Sequence, residues 1–230
     1  MSLPTVCILA GGIGSRLGEH VRAVPKPLVE VAGEPFLFHQ LRLLRRHGAQ
    51  QIVLCVAYLG ETIVDAIGDG AEFGLEVGYS FDGPERIGTA GAVRQALPQL
   101  GPEFLVLYGD TYLRIDYADV VRVHRASGLP ATMTVLRNQG RWDTSNATFD
   151  GRLVGYDKHT PSPQAEWIDY GLAVVSERGF TSVEGEPADL ADVYAELSRR
   201  GELAGYEATE RFFEIGTPEA LAETSVFLQR

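Results

Sequence analysis

The chain has 230 residues, of which 45% are hydrophobic and 22% are charged, an ordinary composition for a globular protein. This length favours one domain, spanning residues 1–230, and suffices for a full hydrophobic core. The formal net charge of -11 argues against a nucleic-acid or membrane-surface binder, because such proteins carry basic patches. The negative net charge is still compatible with a small anionic ligand that a few locally clustered cationic side chains bind.

We expect no signal for export. The apolar stretch from Val6 to Ala10 is too short for a signal peptide and runs into glycines. Cys7 and Cys55 each lie in an apolar run without metal-ligand spacing, which favours buried thiols in a reducing compartment. We therefore expect a cytoplasmic protein.

The first half of the chain alternates strand and helix signals. Short apolar runs predict strands, and apolar residues at helical spacing predict helices. The predicted strands are Thr5–Leu9, Ile52–Ala57, Glu76–Phe81, Phe104–Tyr108 and Ala131–Leu136. The predicted helices are one through Phe36 and Leu44 that ends at Gly48, then Glu61–Ile67, Gly91–Leu97 closed by Pro98, and one from Asp116 or Tyr117 to Ser127.

From about Gly140 the pattern changes. Asp150-Gly151 between two short apolar runs predicts a β-hairpin. The remaining predicted elements are strands at Ile168–Val175 and Phe212–Ile215 and helices at Leu190–Arg200 and Pro218–Leu228. We expect a Rossmann-like three-layer α/β/α sandwich, with a mostly parallel central sheet and a small sheet extension in the second half. Ligands in such sheets bind beyond the carboxyl ends of the strands.

The clearest functional signal follows the first predicted strand. Glycines cluster at Gly11–Gly14, then come Arg16 and Pro25-Lys26-Pro27, which holds one of only two lysines against eighteen arginines. Glycine lets backbone N–H groups approach an anion, and lysine adds a compact charge. The prolines predict an extended, stiff segment around that lysine. The pattern fits neither a dinucleotide fingerprint nor a P-loop, and it predicts a phosphate site suited to a nucleoside triphosphate.

These motifs resemble a known family. Gly11-Gly12-Ile13-Gly14-Ser15-Arg16-Leu17 followed by Pro25-Lys26-Pro27-Leu28 is similar to the signature of the sugar-1-phosphate nucleotidyltransferases. Further similar segments follow in the family's order: Gly88-Thr89-Ala90-Gly91, Tyr108-Gly109-Asp110, Tyr156-Asp157-Lys158 and Phe213-Glu214-Ile215-Gly216. The spacing from Pro25 to Phe36 looks most like the D-glycero-D-manno-heptose 1-phosphate guanylyltransferases. The resemblance covers essentially the whole chain.

The resemblance implies three groups of site residues. The nucleotide-binding group is Leu9, Gly11, Gly12, Gly14, Ser15, Arg16, Lys26, Gly88, Thr89 and Gly91. The sugar-phosphate group is Asp157, Lys158, Asp169 and Gly171, where Asp157 replaces the family's usual glutamate. The metal group is Asp110 and Glu214, which would hold Mg²⁺, and Arg16, Lys26 and Asp110 would act in catalysis.

Some of these residues also have purely structural explanations, which the sequence leaves open. Asp110 follows a strand and a glycine, where aspartate often stabilises a turn. Glu214, which replaces the family's usual aspartate, fits an exposed strand end. Lys158 fits a solvated surface.

The implied reaction condenses GTP with a sugar 1-phosphate, D-glycero-alpha-D-manno-heptose 1-phosphate, to give a GDP-sugar and pyrophosphate for bacterial surface polysaccharide. Positioning and charge neutralisation carry such a reaction without a protein nucleophile. The open alternatives are a uridylyl- or thymidylyltransferase acting on a hexose or N-acetylmuramate 1-phosphate, a glycosyltransferase, and a non-catalytic nucleotide-binding module. The expected partners are the two small-molecule substrates, and a homodimer stays open.

Overall fold

A computed structural model describes residues 2–12, 24–83, 87–183 and 188–229. The strands are β1 (Thr5–Leu9), β2 (Glu30–Val31), β3 (Glu34–Pro35), β4 (Gln51–Val56), β5 (Glu76–Phe81), β6 (Glu103–Tyr108), β7 (Thr111–Tyr112), β8 (Ala131–Arg137), β9 (Ala147–Phe149), β10 (Val154–Tyr156), β11 (Trp167–Ser176), β12 (Leu203–Ala208) and β13 (Phe213–Glu214). The α-helices are α1 (Phe36–Arg46), α2 (Gly60–Ile67), α3 (Gly88–Leu100), α4 (Tyr117–Ser127), α5 (Glu177–Thr181), α6 (Leu190–Arg199) and α7 (Pro218–Leu228). Short 3₁₀ turns occur at Lys26–Leu28 and Ala71–Phe73.

The central sheet has nine strands along the path β10-β9-β11-β6-β1-β4-β5, with β8 paired to β11 and β12 paired to β8. Strands β6, β1, β4 and β5 are parallel neighbours, and β8 and β12 are also parallel to each other. Strand β11 runs antiparallel between β6 and β8. The carboxyl ends of β1, β4, β5 and β6 therefore share one edge, which the start of β11 also reaches.

Alternate residues of β1 face opposite sides of the sheet. Val6 and Ile8 belong to a buried cluster with apolar residues of α1, α2 and α4, such as Leu41. Cys7 belongs to a second buried cluster with residues of α3, α5 and α6, such as Val93. Each fully buried aliphatic side chain contributes roughly 1.5–3 kcal/mol of transfer free energy. These two clusters confirm the three-layer sandwich predicted from the sequence.

Two local predictions are wrong. Helix α3 does not end at Pro98 but continues to Leu100, and it already begins at Gly88. The proline lacks the N–H that would bond within the helix, but Ala96 and Leu100 are buried and hold the last turn. Lys26 is not in an extended segment, because it opens a 3₁₀ turn in which the Leu28 N–H donates to the Pro25 carbonyl at 2.8 Å.

Four of the described strands escaped prediction: β2, β3 and β7, which have two residues each, and β12, which has six. Strand β12 contains Gly205 and two alanines, which favour strands weakly. Its pairing with the fully buried middle of β8 supplies the stability that its own sequence lacks. Among the described residues, no helix combines the length and apolar character needed to cross a membrane.

Candidate active site

The carboxyl ends of four parallel strands meet around Gly11. A side chain at Gly11 would lie 3.0 Å from the Ala57 Cβ and 3.7 Å from an Asp82 oxygen, so the chains leaving β1, β4 and β5 touch here. The Gly109 N–H, after β6, donates to the Leu9 carbonyl at 3.0 Å. The glycines thus allow a close backbone approach at the edge where ligands bind in such sheets.

Lys26 lies against this glycine edge. Its ammonium donates to the Asp110 carboxylate, and its side chain is only 10% exposed. A Cβ at Gly12 would lie 3.9 Å from the Lys26 Cδ. A nearly buried cation is therefore held beside a glycine backbone, next to the carboxylate that follows β6.

A buried glutamine holds the turn that carries Asp110. Gln40 on α1 is fully buried, and its amide nitrogen donates to the Tyr108 carbonyl at 2.9 Å and to the Thr111 carbonyl at 2.8 Å. Both donor positions of the amide are used, which fixes its orientation. Because these carbonyls flank Gly109 and Asp110, Gln40 determines where the turn lies.

The backbone also brings Glu214 next to Asp110. Strand β13 pairs with β7 so that Glu214 faces Thr111, and the Ile215 N–H donates to the Asp110 carbonyl at 3.1 Å. The Thr224 hydroxyl donates to the Glu214 carbonyl at 2.6 Å and ties this segment to α7. The backbone thus brings two acidic residues into neighbouring positions, and Mg²⁺ needs only one or two protein carboxylates when phosphates supply other oxygens.

The first turn of α3 holds the predicted segment Gly88, Thr89 and Gly91. Gly88 has a φ of +71°, which glycine adopts without strain. Gly91 faces Ile87, where a Cβ would come within 2.8 Å of the isoleucine Cβ. The Thr89 hydroxyl donates to Asp189 at 3.1 Å and accepts the Leu190 N–H at 2.9 Å.

Lys158 approaches the same turn from the loop after β10. Its ammonium donates to Asp189 at 3.0 Å, and its side chain is 50% exposed. Asp157 accepts the N–H groups of Thr160 and His159, both at 2.8 Å, and these hydrogen bonds lower the pKa of its carboxyl. Asp157 therefore stabilises the loop that carries Lys158.

Asp169 lies near the start of β11, at a register shift that separates it from Ala173. Gly171 has a φ of +97°, and its N–H donates to Asp169 at 2.9 Å. A Cβ at Gly171 would lie 3.7 Å from both Tyr108 and Thr111, the residues that flank the Asp110 turn. This contact joins the predicted sugar side of the site to the predicted metal side.

Asp169 has an unusual environment. Desolvation raises its pKa to about 6, although the hydrogen bond from Gly171 and the nearby Lys158 ammonium oppose this. Burial raises the pKa values of Tyr108, Tyr156 and Tyr194, and the charge of Asp169 is the next largest cause of each increase. Asp169 is therefore a buried carboxyl group whose charge acts on three tyrosine side chains around it.

Three predicted nucleotide residues, Gly14, Ser15 and Arg16, lie outside the described residues. All the other predicted site residues, from Leu9 to Glu214, are described. They lie at the carboxyl edge of the parallel strands, at the starts of β11 and α3, in the loop after β10 and on β13.

Residues 5–145 of the chain match the nucleotidyl transferase family. The chain belongs to this family. It is 32% identical to the N-acetylmuramate alpha-1-phosphate uridylyltransferase of Neisseria meningitidis over 224 residues, which cover 94% of each protein. It is 28% identical to a mannose-1-phosphate guanylyltransferase catalytic subunit beta of Drosophila pseudoobscura pseudoobscura over 219 residues, covering 92% of this chain but only 59% of that protein.

Solved structures confirm the nucleotidyltransferase fold. A putative glucose-1-phosphate thymidylyltransferase from Bacillus anthracis superposes with a TM-score of 0.83 at 21% identity, covering 99% of this chain and 96% of the other. HddC from Yersinia pseudotuberculosis, crystallised with GMP-PN, superposes with a TM-score of 0.78 at 22% identity, covering 98% and 100%. Sugar-1-phosphate nucleotidyl transfer is the activity that the family and these relatives support.

Three site residues of this nucleotidyltransferase escaped the sequence analysis. Asp82 directly follows β5, so the rule that placed Asp110 at the sheet edge could have found it. Asp189 precedes α6 as an N-cap, where its carboxylate accepts the Ala191 N–H at 3.0 Å. Gln40 is a polar residue between Leu37 and Leu44 on the apolar face of α1, an irregularity that signals a buried hydrogen-bonding role.

Proposed function

We propose that this chain transfers GMP from GTP to D-glycero-alpha-D-manno-heptose 1-phosphate, giving a GDP-sugar and pyrophosphate for bacterial surface polysaccharide. The observation that carries the nucleotidyl transfer is the Lys26–Asp110 pair beside Gly12, with Glu214 attached through β13. This arrangement supplies a cation and two carboxylates at the sheet edge where a triphosphate would lie. Lys158 supplies a second cation at the start of α3.

The reaction needs no protein nucleophile. A phosphate oxygen of the sugar 1-phosphate attacks the α-phosphorus of GTP, the bond from that phosphorus to the bridging oxygen breaks, and pyrophosphate leaves with that oxygen. Lys26 donates hydrogen bonds to the α-phosphate, where negative charge develops in the transition state. The glycine backbone and Arg16 hold the rest of the triphosphate.

Asp110 and Glu214 are the residues that would hold Mg²⁺. The bound ion supplies charge neutralisation for the phosphate groups. The chain's own contribution is to fix the two carboxylates, through Gln40 on one side and the β7–β13 pairing on the other.

The sugar side of the site uses different groups. Lys158 neutralises the sugar phosphate, which the triphosphate would otherwise repel. Asp169, ionised above pH of about 6, accepts hydrogen bonds from sugar hydroxyls. Tyr108, Tyr156 and Tyr194, whose pKa values are raised, stay neutral beside Asp169.

Asp82 supports guanine as the base. Within the described residues its Oδ1 atom is buried without a hydrogen-bond partner, and burial raises the pKa of its carboxyl. An unpartnered buried acceptor is costly. The other oxygen, Oδ2, would lie 3.7 Å from a Cβ at Gly11, so a ligand held at Gly11 comes within reach of this carboxyl group. Guanine presents two adjacent donors, N1–H and the N2 amino group. Uracil presents one N–H between two carbonyl oxygens, which a carboxylate would repel.

The second candidate is a uridylyltransferase acting on N-acetylmuramate 1-phosphate. It is favoured by the 32% identity over 94% of both chains with the Neisseria meningitidis protein of that name. The same phosphate chemistry would serve it, because Lys26, Asp110 and Lys158 contact no base in either proposal. The two candidates differ only in the base and in the sugar.

A substrate panel tests the proposal. The protein is incubated with Mg²⁺, each of GTP, UTP, dTTP, ATP and CTP, and each of heptose, mannose, glucose and N-acetylmuramate 1-phosphate, and pyrophosphate is assayed. We expect the highest kcat/KM with GTP and the heptose phosphate. A higher value with UTP and N-acetylmuramate 1-phosphate would replace the proposal by the second candidate.

Release of no pyrophosphate in any combination would contradict nucleotidyl transfer itself. In that case binding of labelled GTP without turnover would identify a nucleotide-binding module. Transfer from a finished nucleotide sugar to an acceptor would identify a glycosyltransferase.

A further inference from the structure

Asp189 connects two parts of the site that the proposed function assigns to different substrates. Its Oδ1 atom accepts the Thr89 hydroxyl at 3.1 Å, in the candidate nucleotide segment. Its Oδ2 atom accepts the Lys158 ammonium at 3.0 Å, in the candidate sugar-phosphate group. One carboxylate therefore bridges the first turn of α3 and the loop after β10.

Asp189 is itself held firmly. Its Oδ1 atom caps α6 by accepting the Ala191 N–H at 3.0 Å. The Ala90 N–H donates to the Ala188 carbonyl at 2.8 Å, and the Leu190 N–H donates to the Thr89 hydroxyl at 2.9 Å. The start of α6 is thus fastened to the start of α3 by hydrogen bonds on both sides of Asp189.

Glycine makes this attachment possible. A Cβ at Gly88 would collide with the Ala188 carbonyl oxygen, and the φ of +71° at this position also disfavours other residues. The two helix starts therefore approach each other more closely than any side chain would permit. The position of Asp189 relative to Thr89 is set by this contact.

Asp157 stabilises the loop that carries Lys158, but the Lys158 side chain itself is held less firmly than that of Asp189. Its side chain is half-exposed on a loop, and a free lysine side chain of this kind samples many rotamers. The ammonium has three N–H donors, of which one points to Asp189. The others stay available to a phosphate, so the contact with Asp189 orients the lysine without using up its charge.

We propose that Asp189 is a positioning residue for the sugar phosphate, holding Lys158 at a fixed distance from the nucleotide segment through Thr89. This inference rests on the proposed function, because it takes Lys158 as the group that binds the sugar phosphate. Asp189 contacts neither substrate in this account. It acts by pre-organising the lysine, which lowers the entropy lost when the phosphate binds.

Substitution of Asp189 by asparagine tests this role. Asparagine caps helices as well as aspartate does, so α6 is retained while the charge facing Lys158 is removed. We expect Asp189→Asn to raise the KM for the sugar 1-phosphate about fivefold and to change kcat less than twofold. Asp189→Ser, which also caps a helix, should give the same split and guards against a folding defect specific to asparagine.

Asp192 provides the matched control. It lies one turn along α6, and its partner is His159 at 3.4 Å rather than Lys158. Asp192→Asn removes the same charge from the same helix, and we expect it to leave both kinetic parameters within a factor of two.

A double-mutant cycle distinguishes positioning of Lys158 from a purely structural role of Asp189, because only positioning makes the effect of Asp189→Asn depend on the lysine. In a Lys158→Met background, Asp189→Asn should raise the sugar-phosphate KM by less than twofold further, because the lysine it positions is gone. An undiminished fivefold effect in that background, or no effect of either Asp189 variant in the wild type, would overturn the proposal. Absence of pyrophosphate release by the wild type would instead contradict the proposed function.

Discussion

The two lysines of the chain are held in opposite ways. Lys26 is 10% exposed and pairs with Asp110 at the edge of the parallel strands, whereas Lys158 is 50% exposed and pairs with Asp189 at the start of a helix. The first lies on a 3₁₀ turn flanked by prolines. The second lies on a loop of the sheet extension, between β10 and β11.

Under the proposed function, this difference places nucleotidyl transfer on one side of the site and the choice of sugar on the other. The Lys26 side is built by β1 and β6, whose pairing is fixed by fully buried residues on both faces of the sheet. On the Lys158 side, β10 and the loop after it meet α6 and its N-cap Asp189 through side-chain hydrogen bonds. A site that must change its sugar can alter the second group without disturbing the first.

The strongest test of this comparison is Lys26→Ala. We expect kcat to fall about 10³-fold, the scale of losing a donor aimed at developing transition-state charge. Pyrophosphate release under saturating GTP and sugar phosphate measures it. Arg152→Ala, which removes an exposed cation, is the control and should leave kcat unchanged. Near-normal turnover of Lys26→Ala would contradict the assignment of Lys26 to the α-phosphate.

The next largest effect is expected at Asp110, the proposed metal ligand. Asp110→Asn keeps the volume of the side chain but loses its charge. We therefore expect kcat to fall about 10²-fold and the Mg²⁺ concentration that gives half of the maximal rate to rise. A magnesium titration of initial rates measures both. The exposed Asp65→Asn serves as the control. An unaltered Mg²⁺ dependence in Asp110→Asn would mean that this carboxylate is only a turn residue.

Asp82 sharpens the comparison on the nucleotide side. We expect Asp82→Asn to reduce the ratio of kcat/KM for GTP to that for UTP about 30-fold, because an amide can donate to a uracil carbonyl and accept its N–H. Competition between the two triphosphates in one assay measures the ratio. An equal loss of kcat/KM with GTP and with UTP would show that Asp82 stabilises the sheet edge without recognising the base.

Lys158→Ala probes the exposed side. The sugar-phosphate KM should rise about 20-fold, as expected for one lost charge-assisted contact, while kcat changes less than threefold. Lys158→Ala should therefore change mainly KM, whereas Lys26→Ala should change mainly kcat. If Lys158→Ala lowered kcat and left KM unchanged, the division of labour between the lysines would be wrong.

The smallest expected effect concerns pH. Because the Asp169 pKa is raised to about 6, the carboxyl becomes protonated as pH falls through 6 and loses acceptor capacity. We expect kcat/KM for the sugar phosphate to drop about threefold more between pH 7 and pH 5 in the wild type than in Asp169→Asn. Both enzymes share the titration of the substrate's own phosphate, so the difference between their profiles isolates Asp169. Parallel profiles would contradict this role.

Most of the Lys26 side could be predicted from the sequence. Glycines after an apolar strand and a lysine between prolines are local signals, and the carboxyl ends of parallel strands meet at one edge whatever the side chains are. Asp110 follows from the same rule. The turn around Lys26 could not be predicted, because the hydrogen bond from Leu28 to Pro25 depends on how the segment packs against the sheet.

The Lys158 side depends on contacts between distant segments. Asp189 is 31 residues from Lys158 and 100 from Thr89 along the chain, and the pairing of all three depends on how α6 docks on α3. Gln40 also acts through distant partners, the Tyr108 and Thr111 carbonyls, that no local pattern names. Strand β12, which borders β8, is likewise stabilised by tertiary pairing that its own residues do not indicate.

A crystal structure with the bound nucleotide-sugar product tests the central claim most directly, since its two phosphates come from different substrates. We expect Lys26 Nζ within hydrogen-bond distance of the phosphate derived from the nucleotide. We expect Lys158 Nζ within hydrogen-bond distance of the phosphate derived from the sugar. Both lysines on one phosphate, or Lys158 bound to Asp189 alone with the sugar phosphate elsewhere, would contradict it.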